Sequence, residues 1–250
     1  MDKLYISYVP MTSNNQQPNP GEVMKHSRSI VSPIGMGEPI SNSFNFRYFF
    51  RLALRVLLFL LGLMIMSYGI VLIVQANLGA APWDVMHLGI VRHTGLTFGR
   101  TRQLVGMAII VSSCLILKKW PTVGIIANMV LVGEFCNYIY IWDLTPKVFS
   151  PGSRLAVFAA GLFVWGLGTG IYIQAQLGAG PRDLLMLALH RVTGMPIRWV
   201  RTLIEVSMVL IGMCLGGPVS WGTLFFSVAI GHTTELGMKL SRRWFGKLTG

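Results

Sequence analysis

Long apolar runs, separated by short polar or glycine- and proline-rich segments, dominate the chain from about residue 50 onward. Such runs approach the roughly 20 apolar residues that a helix needs to cross a bilayer. The pattern therefore predicts an all-α, polytopic transmembrane helical bundle. The six predicted spans cover residues 56–74, 103–117, 123–142, 155–173, 199–215 and 222–238.

One 21-residue segment occurs twice along the chain. Residues 75–95 and 174–194 align without a gap at an offset of 99 positions, and 11 of the 21 residues are identical. We call these two stretches the signature segments. Glycines in the last span of each half repeat as well, at an offset of 98. The chain is therefore predicted to be a tandem duplication, with repeat one at 51–143 and repeat two at 154–240.

Each signature segment predicts a break followed by a short helix. In the first copy, Gly79 ends the preceding span and Pro82 suits the first turn of a new helix. A helix over 82–93 would be roughly 18 Å long at 1.5 Å per residue, which is too short for an ordinary span. We therefore expect six spans plus two short broken or re-entrant helices. If the short helices cross the membrane instead, the chain has eight spans.

Three spans per repeat is an odd number, so the two halves would enter the membrane in opposite directions. This inverted arrangement is typical of many secondary transporters, which hold their solute between the halves. The eight-span alternative would make the two repeats parallel.

The first signature segment resembles a known family. The string A-N-L-G-A-A-P-W-D-V at 76–85, followed by T-G-L-T-F-G at 94–99, resembles the YczE/YyaS/YitT family of bacterial multi-pass membrane proteins. In that family L-G-x-x-P-W-D-V precedes T-G-x-S-x-G, and this chain has Thr97 where Ser is usual. The second copy departs further, with Arg182 in place of the Trp. The resemblance covers about 51–243 and implies an inner-membrane protein, but no catalytic residues.

Composition agrees with the membrane class. The chain is 53% hydrophobic and 12% charged, with a mean hydropathy of +0.59, whereas a soluble domain carries about a quarter charged residues. The net charge of +12 is attributed to topology signals and anionic lipid contacts beside the spans, because no nucleic-acid-binding motif accompanies it. Arg47, Arg51 and Arg55 before the first span predict a cytoplasmic N-terminus. The predicted location is the bacterial cytoplasmic (inner) membrane, with both termini in the cytoplasm.

The ends of the chain are predicted to lie outside the bundle. Residues 1–46 are rich in Ser, Asn, Gln and Pro and lack the pattern of a signal peptide. They predict a disordered cytoplasmic tail. The transmembrane domain then covers 47–243, and 244–250 form a short basic C-terminal tail.

Two acidic residues repeat at the starts of the short helices. Asp84 and Asp183 can simply cap those helices, because a carboxylate accepts free N–H groups there. Alternatively, the two helix N-termini point at a central binding site. The predicted substrate-binding residues are Gly79, Pro82, Asp84, Gly178, Pro181, Asp183, Arg102, Arg201, Glu134, His232 and Glu235.

Arg102 and Arg201 also repeat, and each has two readings. They contact lipid headgroups or signal topology, or they pair with an intramembrane acid, Glu134 or Glu235. Glu205 follows Arg201 by four residues, which favours an ion pair within one helix. Among the remaining polar and aromatic residues, an interfacial position is predicted for His87, His93, His190, Trp83, Trp120, Trp142, Trp199 and Trp221.

The sequence carries no motif for catalysis, metal or cofactor binding. Cys114, Cys136 and Cys214 lie inside apolar runs without metal-ligand spacing, and phosphate-cradling, zinc-protease and nucleophile-turn motifs are absent. We therefore expect a protein that is not an enzyme. The first hypothesis is a secondary transporter or permease for a small molecule or ion. The alternative is a non-transporting membrane protein that supports assembly or maturation of partners. Expected partners are the lipid bilayer, another copy of the chain or a membrane protein.

Overall fold

The described part of the computed structural model covers residues 46–178 and 180–249, with side chains described for 49–178 and 180–246. These residues form helices and no strand, so the all-α prediction is confirmed. The predicted tail at 1–46 lies outside the described residues apart from Phe46, where the first helix begins. The helices are α1 (Phe46–Gln75), α2 (Pro82–Thr94), α3 (Phe98–Leu117), α4 (Val123–Ile141), α5 (Pro151–Gln174), α6 (Pro181–Thr193), α7 (Ile197–Cys214) and α8 (Trp221–Thr249).

The centre of the bundle is a close contact between α1 and α5 through glycines. A Cβ added at Gly62 would lie 2.4 Å from the backbone nitrogen of Tyr172, and one at Gly69 would lie 2.4 Å from that of Trp165. Later residues of α1 therefore contact earlier residues of α5, so the two helices are antiparallel. Small residues in membrane helices allow backbones to approach this closely.

The opposite face of α5 packs on α8, again through glycines. A Cβ at Gly166 would lie 2.4 Å from the Thr233 carbonyl oxygen, and one at Gly170 would lie 2.3 Å from the carbonyl carbon of Gly237. Later residues of α5 contact later residues of α8, so these two helices are parallel. The helix α5 is therefore held between α1 and α8 without room for larger side chains at these positions.

The helices α3 and α4 form a second close pair. A Cβ at Gly99 would lie 2.0 Å from the Gly133 carbonyl oxygen, and one at Gly106 would lie 2.7 Å from the Met129 side chain. Gln103 adds a hydrogen bond of 3.0 Å to the Val130 carbonyl oxygen. Within the first half α1 also packs on α4, and between the two halves α2 packs on α7 and α3 packs on α6.

The two signature segments have similar backbone conformations at the matching positions that the structure describes. Asn77 and Gln176 have φ of 52° and 54°, and Gly79 and Gly178 have φ of 121° and 146°. Both short helices contain 13 residues and end at a left-handed glycine. Both helices therefore begin where a glycine adopts a conformation that other residues rarely take.

Each signature segment also rests on the start of a distant helix. The carbonyl oxygen of Leu78 accepts a 3.0 Å hydrogen bond from the Gly222 N–H at the start of α8. At the start of α4, a Cβ on Gly124 would lie 1.8 Å from the Leu177 carbonyl oxygen. The first segment therefore contacts the start of α8, and the second segment contacts the start of α4.

Four helices, α1, α3, α4 and α5, are long and apolar enough to cross a membrane. The other two predicted spans became α7 and α8, which carry Arg198, Arg201, Glu205, His232, Glu235 and Lys239. These charged and polar residues lower their hydropathy, so six spans remain a prediction.

Two helices extend beyond the predicted segments. The second span was expected to begin at residue 103, but α3 begins at Phe98, after Thr97 caps it by accepting a 3.3 Å hydrogen bond from the Arg100 N–H. Arg102 therefore lies inside α3 rather than before it. The last helix, α8, continues to Thr249, so it includes most of the segment 244–250 that is predicted to be a basic C-terminal tail.

Candidate functional site

A buried cluster of charged side chains surrounds Asp84, in the first turn of α2. Its side chain is 1% exposed, and its Oδ1 atom accepts a hydrogen bond from Arg102 of α3. Arg182 of α6 lies 3.5 Å from the same oxygen, and the His87 Nδ1 atom lies 3.3 Å from it. One carboxylate therefore links three helices and is the shared counter-charge of two arginines.

The two repeated aspartates have different roles. Asp183 accepts a 3.3 Å hydrogen bond from the Gly180 N–H and so caps α6, as predicted. At the start of α2, Ala81 occupies the capping position and no side-chain cap is present. The capping interpretation of Asp84 is therefore wrong, because its side chain makes no cap hydrogen bond and instead contacts Arg102 and Arg182.

Aromatic rings hold both arginines in place. The Arg102 guanidinium lies 5.5 Å from the centroid of the Phe98 ring, and the Arg182 guanidinium lies 5.0 Å from that of Trp83. Such cation–π contacts stabilise a desolvated cation. The predicted partners of Arg102, lipid headgroups or Glu134 or Glu235, are wrong. Arg102 lies inside α3 and contacts Asp84 of α2 instead.

Sequence reasoning missed Arg182 and His87. Arg182 occupies the position that matches Trp83 in the first copy, and it was noted only as a departure from the motif. The sequence signal that could have identified Arg182 was a charged residue at a position that is aromatic in the other copy. His87 was expected at an interface, but it is 3% exposed because it packs beside Asp84.

The cluster continues to α7 through Trp83 and Glu205. Trp83 is 2% exposed, and Glu205 of α7 interacts electrostatically with Arg182, Arg201 and Trp83. The aromatic-belt prediction is therefore wrong for Trp83, although Trp120, Trp142, Trp199 and Trp221 are exposed. The ion pairs closer than 4 Å among the described residues do not include Arg201 with Glu205.

Two buried polar atoms beside the short helices have no hydrogen-bond partner among the described residues. One is the Oδ2 atom of Asp84, and the other is the Nδ2 atom of Asn128 on α4. The Asn128 Oδ1 atom lies 3.5 Å from the position of a Cβ at Gly180, so Asn128 adjoins the start of α6. Because buried polar groups are normally hydrogen-bonded, each helix start offers one free acceptor or donor.

The other predicted site residues lie elsewhere. Glu134 is 3.3 Å from Arg100 and accepts a 2.9 Å hydrogen bond from Gln103, both on α3. On α8, Glu235 pairs with Lys239 at 2.7 Å, and His232 is exposed. None of the hydrogen bonds or ion pairs of these three side chains in the described part of the chain joins either aspartate, and their role in substrate binding stays a prediction.

The repeated glycines and prolines shape the two helix starts. Gly79 contacts Ser220 and Thr223 before and within α8, and Gly178 contacts Thr122 and Gly124 before and within α4. The prolines that begin the short helices, Pro82 and Pro181, are both buried. Arg201 is exposed and lies outside the direct Asp84 contacts.

A cavity of about 230 Å³ adjoins the first signature segment, lined by residues including Asn77, Gly79, Leu88, Arg92 and Pro218. Arg92 donates a hydrogen bond to the Gly216 carbonyl oxygen at its edge. Within the described residues, no group of three or more His, Cys, Asp or Glu side chains could hold a metal ion.

Comparison with known proteins agrees with the resemblance seen in the first signature segment. The chain is 34% identical to the uncharacterized membrane protein YczE of Bacillus subtilis, over 72% of this chain and 84% of that protein. It is 30% identical to an uncharacterized protein of Haemophilus influenzae, over 74% and 83% of the two chains. Identity to the uncharacterized protein YyaS of Bacillus subtilis is 28%, over 74% and 92%. No solved structure matches the chain.

A family model matches residues 53–239, which include both signature segments and the whole Asp84 cluster. The predicted relation to YczE and YyaS is confirmed, and these relatives together with the apolar helices identify a membrane protein. The chain belongs to the family of unknown function DUF6198.

Proposed function

We propose that the protein is a secondary transporter or permease for a small charged solute in the bacterial cytoplasmic membrane. The observation that carries this proposal is the buried cluster of Asp84, Arg102 and Arg182. It joins α2, α3 and α6 where the starts of the two short helices approach each other. Transporters with internal repeats bind their solutes at such broken helices, between the two halves.

The direction of α1 and α5 supports an inverted arrangement of the two halves. These helices begin the first and second repeats, and their glycine contacts run antiparallel. With six spans the first helix of each half crosses in the opposite direction, whereas eight spans would make the two parallel. The first signature segment contacts the start of α8 and the second contacts the start of α4, which agrees with a two-fold relation between the halves. Both termini would then be cytoplasmic.

The chemistry of the cluster favours a charged solute. Arginine side chains and free N–H groups at helix starts bind an anionic group. The free Oδ2 atom of Asp84 accepts a hydrogen bond from a donor such as an ammonium group. Charged groups at membrane depth are costly and mark substrate or ion pathways by default.

The proposal is tested first by binding and then by flux. Thermal-shift screening of charged metabolites is expected to identify a solute that raises the melting temperature, because it binds only the folded state. Purified protein in liposomes should then move that solute. Asp84→Asn is expected to abolish the shift and the flux while the protein stays inserted. Asp183→Asn is the matched control, because Asn caps a helix nearly as well as Asp.

The opposite result is equally defined. If a broad screen gives no shift, liposomes show no flux and a stable protein partner co-purifies, the transport proposal fails. That outcome would support the alternative of a protein that assists assembly of partners.

A further inference from the structure

The two halves differ in how their last two helices pack. In the first half α3 and α4 are in close contact, and a Cβ at Gly133 would lie 2.5 Å from the Gln103 side chain. The matching glycine in the second half is Gly231 on α8. A Cβ there would meet nothing within 4 Å, and α7 and α8 do not form a packed pair in the described part of the chain.

Polar residues line the face of α8 that has no neighbour among the described residues. His232 and Glu235 match Glu134 and Asn137 of α4 at the offset of 98. In the first half these two residues bind α3: Glu134 accepts from Gln103 at 2.9 Å, and Asn137 accepts from the Gly99 N–H at 3.0 Å. In the second half both His232 and Glu235 are exposed.

The matching face of α7 is also exposed. Arg198, Trp199 and Thr202 correspond to Gly99, Arg100 and Gln103 at the offset of 99, and all three are exposed. The two faces that would meet if α7 packed on α8 as α3 packs on α4 are therefore both open.

These residues lie at the level of the packed core. Thr233, next to His232, contacts Gly166 of α5, and the adjacent Trp165 contacts Gly69 of α1. With six spans this level is inside the membrane, where polar and charged groups need protein partners or water. An exposed His–Glu–Lys face on α8 is therefore better suited to a water-filled cleft than to lipid.

The turn between α7 and α8 is anchored. A Cβ at Gly217 would lie 2.2 Å from the Val85 carbonyl oxygen of α2, and Arg92 donates a hydrogen bond to Gly216. With the turn held on the outer side, the open faces of α7 and α8 lead towards the cytoplasm in the six-span topology. The α3–α4 pair is joined on the cytoplasmic side by residues 118–122.

We propose that the structure is the inward-open state of an alternating-access cycle in which α7–α8 and α3–α4 close in turn. This inference rests on the proposed transport function and adds its conformational switch. In the outward-open state α7 packs on α8 around Gly231. His232 and Glu235 then meet α7, as Glu134 and Asn137 now meet α3, and the α3–α4 pair separates.

Two matched cysteine pairs test the switch. Arg100→Cys with Glu134→Cys reports closure of α3 on α4, because the Arg100 Nη1 and Glu134 Oε1 atoms are 3.3 Å apart in this state. Trp199→Cys with His232→Cys reports closure of α7 on α8 at the matching positions. Membranes are treated with a short bifunctional thiol reagent, and single-cysteine variants serve as controls for reaction with the native cysteines.

Both pairs are expected to cross-link, each in part of the population. In a chain carrying all four substitutions, prior cross-linking of the first pair should lower cross-linking of the second severalfold. The switch is overturned if the second pair never cross-links, if both pairs link in the same molecule, or if the α8 face links only to a second copy. A switch that works without flux of any solute would instead refute the transport function alone.

Discussion

The strongest consequence of the Asp84 cluster is an unequal response of the two repeated aspartates to truncation. Asp84→Ala removes the carboxylate that Arg102, Arg182 and His87 share. Asp183→Ala removes the side-chain acceptor of one backbone N–H. The two residues occupy matching positions, so each is the natural control for the other.

The expected magnitudes follow from what each substitution leaves behind. Removing Asp84 leaves two arginines without their shared counter-charge, and breaking a buried ion pair costs about 3–5 kcal/mol. The Arg182 side chain is 31% exposed and can regain some hydration, so we expect a loss near the lower limit, about 3 kcal/mol. Losing a helix cap at Asp183 costs about 1 kcal/mol.

Thermal unfolding of the purified protein in detergent distinguishes these values. At roughly 2–4 °C per kcal/mol for a chain of this size, Asp84→Ala should lower Tm by about 6–12 °C and Asp183→Ala by about 2–4 °C. Adding Arg102→Met to Asp84→Ala should recover part of the loss, because it removes one of the uncompensated charges. Arg102→Met alone is measured to complete the cycle.

The reasoning would be refuted if the two alanine variants had the same Tm. It would also be refuted if the losses from Asp84→Ala and Arg102→Met simply added in the double variant. Either result would mean that the Asp84 carboxylate does not interact energetically with the arginines.

Two further predictions concern packing and topology. Gly168→Leu should prevent stable folding or lower Tm strongly, because even a Cβ would lie 2.3 Å from the Met66 backbone nitrogen and overpacking costs about 1–3 kcal/mol or more. The control Gly152→Ala, where a Cβ meets nothing within 4 Å, should leave Tm within a degree or two of wild type. An unchanged Tm for Gly168→Leu would contradict the glycine contact. Single cysteines at Lys118→Cys and Val219→Cys should react with a membrane-impermeant thiol reagent from opposite sides, with Lys118→Cys on the cytoplasmic side. Periplasmic labelling of Lys118→Cys would favour eight spans and parallel repeats.

The sequence by itself determined the elements whose causes are local. Apolar runs located the helices, and the repeated glycine and proline positions located the two short helices, which the structure ends at the left-handed glycines Gly95 and Gly194. These features depend on neighbouring residues, which a sequence states directly.

Tertiary structure alone decided which side chains meet. Arg182 reaches Asp84 across 98 positions of the chain, and this contact depends on how α6 approaches α2. The same holds for Glu134 and His232, which occupy matching positions in the two halves. Their surroundings differ because α4 packs on α3, whereas α8 does not pack on α7 in the described part of the chain. Pairing between distant charges depends on helix rotation and on the packing of whole helices, and the order of residues in one helix does not specify either.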